Sequence, residues 1–184
     1  MMQQIIDQAF FYATNGNFKQ SEKNLAQLTE PNSLPYKQFI EGVISFKKGF
    51  FETGLDNMID VMTNRYINQH FIKVYLNCLE NSLPTNLIRK AYRDLTFFFL
   101  HKLKQNAHLE DLALYINSIN FPHSNFLISQ VMAEEIFIPI INSCYENGYV
   151  ELALQLERIY YGKFERLEQS EEHFHKVIQP ITQS

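Results

Sequence analysis

Tyr12-Ala-Thr-Asn-Gly16-Asn-Phe18-Lys-Gln-Ser21, Ser45-Phe-Lys-Lys-Gly49-Phe-Phe51-Glu-Thr-Gly54 and Cys144-Tyr-Glu-Asn-Gly148-Tyr-Val150-Glu-Leu-Ala153 are three writings of one pattern. Each has a polar residue, a Gly, a bulky apolar residue two later and a small residue three further on. The glycines are spaced by 33 and then 99 residues, and 99 is three periods of 33. A Gly in this place supplies the left-handed backbone that ends a helix. The bulky residue then opens the next helix and plugs the corner, and the small residue lets the second helix approach the first. Gly42, seven before Gly49, marks a second close approach on the first helix of its pair.

Outward from these turns the periodicity is helical. Ile5, Ile6, Ala9, Phe10 and Ala13 form one wide apolar stripe, and Phe18, Leu25 and Leu28 another. Asn15-Gly16 and Asn147-Gly148 would signal hairpins between alternating flanks, but their flanks repeat at 3.6 residues, so they join helices. With only 6 Gly and 6 Pro in 184 residues, an all-β domain of many tight turns is excluded. The spacing predicts an all-α chain with helices over 2–15, 18–29, 34–48, 51–64, 66–81, 85–104, 107–119, 124–134, 136–146, 150–161 and 164–178. Gly162 reads as a helix stop. No low-complexity linker interrupts the chain, so residues 1–184 are expected to form a single helical-repeat domain.

The pattern resembles the tetratricopeptide repeat, a helix–turn–helix unit of 34 residues. The middle copy matches best, with Gly42, Gly49, Phe51, Gly54, Met58 and Val61 in signature slots. The match is good over 2–64 and 136–161 and degenerate between, and the Trp of the fuller pattern is absent. The resemblance implies a right-handed superhelical array of about five antiparallel helix pairs with a C-terminal capping helix over 164–178. It also implies a non-catalytic protein–protein interaction module, in which the first helix of each pair lines a concave groove. Transferred slot by slot, that groove is Phe10 and Ala13, then Phe39, Val43 and Phe46, then Ile138, Asn142 and Tyr145. These side chains are mostly apolar or aromatic, which departs from family members that clamp a terminal carboxylate with Lys, Arg and Asn. An apolar or amphipathic peptide segment is the expected ligand. A small chaperone of the class-II type III secretion kind, or an N-terminal helper domain of an enzyme such as a glycosyltransferase, is the alternative; the end at Ser184 would suit an excised module.

A search for chemistry finds none of the usual constellations. The six glycines are isolated, so no phosphate loop forms, and Gly-x-Ser-x-Gly, His-Glu-x-x-His and Cys-x-x-Cys are absent. His173 and His175 point to different sides of a helix, and the adjacent carboxylate pairs such as Glu134-Glu135 do the same. Cys78 and Cys144 sit among apolar neighbours, as buried inert thiols do. No catalytic residue, cofactor or metal site is expected.

The net charge of −4 gives no general attraction to nucleic acid, and the acidity lies in the half from Tyr92 onward. Lys90, Arg93 and Lys104 share a stripe with Phe97 and His101, a candidate face for an acidic partner segment. No apolar stretch approaches the ~20 residues of a membrane helix, so membrane insertion is not expected. The start lacks a basic leader, and two cysteines make no disulfide framework, which suggests the cytoplasm. The expected partner is another protein or a peptide, and a homodimer is compatible with the same surfaces.

Overall fold

The structure, a computed structural model, describes residues 1–65, 69–81, 83–105, 137–158, 160 and 162. All regular secondary structure among them is helical. Six α-helices run in order: α1 (Met2–Thr14), α2 (Phe18–Leu25), α3 (Leu34–Lys47), α4 (Phe51–Asn64), α5 (Gln69–Leu79) and α6 (Thr85–Lys104). Two further helical stretches cover 137–146 and 150–158. The expected helices at 107–119, 124–134 and 164–178, with the proposed cap, lie outside the described residues.

The three glycine turns are built alike. Gly16, Gly49 and Gly148 have φ of 78°, 96° and 80°. In each, the glycine N–H donates to the carbonyl three residues back, and the next N–H reaches five residues back, as in Phe50 N to Ser45 O at 3.0 Å. This doubly bonded left-handed stop satisfies carbonyls that a helix end would otherwise leave without partners. The residue two beyond each glycine opens the following helix, as expected. Phe51 then packs edge-on against Phe46, ring centroids 5.0 Å apart, whereas Val150 is half exposed.

The small residues do what their spacing predicts. Gly42 and Gly54 meet where α3 crosses α4, so closely that a Cβ on Gly54 would lie 2.6 Å from the Gly42 carbonyl oxygen. At the same register in the first pair, the buried Ser21 hydroxyl donates to the Ala9 carbonyl at 2.8 Å and ties α2 to α1. In the last pair Ile141 and Ala153 hold these positions, and both are buried.

Some boundaries differ from expectation. α2 stops at Leu25 and not near 29: Gln27 and Leu28 donate only three residues back, to Asn24 and Leu25, Pro31 then holds Glu30 extended (φ −74°, ψ 142°), and a short 3-10 turn, Pro31–Ser33, leads into α3. Leu28 still reaches the core from the turn. The α5 end carries no glycine; the Asn81 side chain instead donates to the carbonyls of Asn77 and Cys78, at 3.2 and 3.1 Å. Gly162 is itself helical.

The chain divides into two compact units, Met1–Ala91 and Tyr92–Ser184, with the division inside α6. In the first, α1 packs on α2 and α3, α3 on α4, and α4 on α5. An aromatic seam joins the first helices of successive pairs: Phe10 lies 5.9 Å from Phe39, and Phe39 stacks flat on Phe71 of α5 at 3.9 Å. The second unit buries Leu95, Phe98, Phe99 and Leu103 of α6, together with Phe137, Ile140, Cys144, Ala153 and Leu156 of its later helices.

Candidate functional site

The aromatic seam corrects much of the expected groove. Phe39 is fully buried between its neighbours, and Ala13, Val43 and Phe46 are also in the core. Phe39 bridges α1, α3 and α5, Phe46 packs toward α4, and none of the four side chains presents surface to a ligand. Phe10 is different: it is largely buried, yet it floors an open cleft of about 450 Å³ on the face shared by α1, α3 and α5.

Ile6 joins Phe10 on the floor of this cleft. Gln3, Asp7, Phe11 and Thr14 of α1 form one wall, spaced by four, four and three residues, so they share one line of the helix. Tyr36 of α3 and His70 of α5 close the other side. Phe11 is 63% exposed, although it is one of the largest apolar side chains in the unit. The His70 ring meets Phe10 edge-on, centroids 4.8 Å apart, and Tyr36 meets Phe71 in the same way at 5.5 Å. Asp7 accepts a hydrogen bond from the Gln3 amide at 2.8 Å. Sequence reading did not place Asp7, Phe11, Tyr36 or His70 in the groove. The available signal was Phe11 itself, an aromatic standing one position outside the stripe of Ile6, Ala9, Phe10 and Ala13.

In the second unit the transferred residues do reach solvent. Ile138 and Tyr145 are 44% and 40% exposed, and Asn142 between them is exposed as well. They line one side of the 137–146 helix at i, i+4 and i+7. The Tyr145 hydroxyl donates to the Glu157 carboxylate at 2.9 Å, which fixes the ring against the following helix.

The basic stripe separates into two parts. Lys90 is engaged within the fold: its ammonium donates to Asp56 and lies 3.8 Å from Glu52, so it ties α6 to α4. Arg93 and Lys104 are exposed on the part of α6 belonging to the second unit, with Phe97 exposed between them. Lys102, on another side of α6, is buried with its ammonium 5.9 Å from the Phe98 ring, and desolvation lowers its pKa.

Both cysteines are buried among apolar atoms. Desolvation pushes the Cys78 thiol up to about 12, against a smaller opposing pull from Lys47, and Cys144 up to about 11. Neither thiol is a nucleophile at neutral pH. Among the described residues no group of three or more His, Cys, Asp or Glu is placed to hold a metal ion, and no helix is long and apolar enough to cross a membrane. Comparison with protein-family models, with curated proteins and with solved structures returns no match.

Proposed function

We propose that the chain is a non-catalytic, cytoplasmic protein–protein interaction module, built as a tetratricopeptide-like array of helix pairs. It binds an apolar or amphipathic segment of another protein against the face formed by the first helices of its pairs. The observation that carries this reading is the α1–α3–α5 cleft. An apolar floor, an exposed Phe11 at its edge and polar groups along its walls are the composition of a binding surface and not of a core. Phe11 stands exposed at the edge of a concavity, where an aromatic side chain can serve as an anchor for a partner. The exposed stripe of Ile138, Asn142 and Tyr145 lies at the same distances before Gly148 as Phe39, Val43 and Phe46 lie before Gly49. It is the second contact surface of this reading.

The test is affinity capture with the purified full chain, followed by mass spectrometry, run in parallel with a Phe11→Ser variant. A partner retained by the parent chain and lost with Phe11→Ser supports the reading. Identical capture by the two proteins would remove the cleft from it.

A further inference from the structure

The cleft has a charge character that the apolar stripe does not announce. Among the described residues that line it, Asp7 is the one carboxylate and none is Lys or Arg. Among the described residues Asp7 receives only the neutral Gln3 amide and pairs with no cation. Phe11 stands one helical turn further on, on the same line of α1, largely exposed and touching Tyr12 ring-edge to ring at 5.7 Å between centroids. A carboxylate beside an exposed ring attracts a cation twice, through its charge and through the negative face of the ring. An acidic or phosphorylated segment meets the opposite: one like charge and, among the described lining residues, no Lys or Arg. Between the two cationic side chains, the planar guanidinium suits this pair better. It stacks on a ring while its N–H groups reach the carboxylate, and it sheds water more easily than an ammonium.

We infer that the cleft receives an arginine side chain from an extended segment of a partner protein, its guanidinium over Phe11 and against Asp7, with apolar neighbours on Ile6 and Phe10. This rests on the binding-module reading above and adds the chemistry of the occupant.

The experiment is a nuclear magnetic resonance titration of the full, nitrogen-15-labelled chain at low ionic strength. The probes are acetyl-Leu-Arg-Leu-amide, the same peptide with citrulline for arginine, and N-acetylarginine amide. Citrulline keeps the shape of arginine and removes its charge. The expected result is movement of α1 amide signals around Asp7 and Phe11, with the citrulline peptide weaker by about tenfold, as loss of an exposed ion pair and a cation–π contact implies. Asp7→Asn, an exposed and nearly isosteric change, should bring the arginine peptide down toward the citrulline level. Equal binding of the two peptides at the cleft would overturn the arginine assignment and leave the binding module standing. Binding of N-acetylarginine amide as tight as that of the peptide would overturn the protein segment as its source. No shift at the cleft with either tripeptide would overturn the assignment together with the groove.

Discussion

Replacing Gly54 with Ala should destabilise the protein, although the same change in most helix interiors is favourable by about 1 kcal/mol. The geometry sets the sign. The new Cβ would lie 2.6 Å from both the Gly42 carbonyl oxygen and the Phe46 backbone nitrogen, and 2.8 Å from the Phe46 Cβ. All three are backbone or backbone-attached atoms, so no rotamer change relieves the overlap. Ordinary contact starts near ~3.5 Å, so α3 and α4 must part locally by roughly 0.7–0.9 Å. A gap of that size forfeits about a quarter to a half of the dispersion energy of the atoms facing it. Overpacking of this kind costs about 1–3 kcal/mol, and rigid backbone places this case at the upper end. Subtracting the propensity gain leaves a net loss of about 2 kcal/mol. For a chain of this length that corresponds to a fall in Tm of about 4–8 °C, read by circular dichroism or calorimetry. An unchanged or raised Tm for Gly54→Ala would show that the two helices do not cross through this glycine.

Three other perturbations test separate parts of the structure. Gly49→Val should cost more than about 1 kcal/mol in urea denaturation because φ is 96°, while Gly49→Asn should cost less, since Asn tolerates the left-handed region; equal losses would point to crowding, which the open space around Gly49 does not provide. Lys90→Glu should lower stability by about 1–2 kcal/mol, by exchanging attraction to Asp56 and Glu52 for repulsion, and the loss should shrink in high salt. Cys78 and Cys144 should resist thiol reagents in the native state and react on unfolding; because their folded pKa values lie above the unfolded ones, the stability linked to them is fully present below about pH 9 and is lost as pH rises toward the folded values. Rapid native labelling at pH 8 would contradict the burial of both thiols.

The glycine-phased turns were legible in the sequence because a positive φ is a demand on one residue type, made locally and visible as spacing. The helix crossings were legible for a similar reason: Ala9 with Ser21 and Gly42 with Gly54 recur at one register and admit only small side chains. The groove was less legible. Periodicity tells which side of α3 carries Phe39, but what stands opposite is decided by Phe71, on a helix that no glycine marks. Phe39 therefore reads as a groove residue in one dimension and is a core residue in three. Lys90 shows the same limit, since its partners Asp56 and Glu52 lie a full repeat earlier in the chain and its place in a basic stripe is a property of α6 alone. Asp7 and Phe11 were hidden differently. On α1 only Phe11, an aromatic outside the apolar stripe, stands out, and the two residues become a site only when Tyr36 and His70 close the far wall.

The proposed partner-binding surface is the face built by α1, α3 and α5. The most direct measurement is to select peptides against the immobilised full chain from a random display library and to map each bound peptide by amide chemical-shift perturbation. Independently selected peptides should converge on one surface, with the largest shifts along Gln3, Asp7, Phe11 and Thr14 and at Tyr36 and His70. Convergence on a surface remote from these residues, such as the exposed Phe50 on the other side of α3, would contradict it.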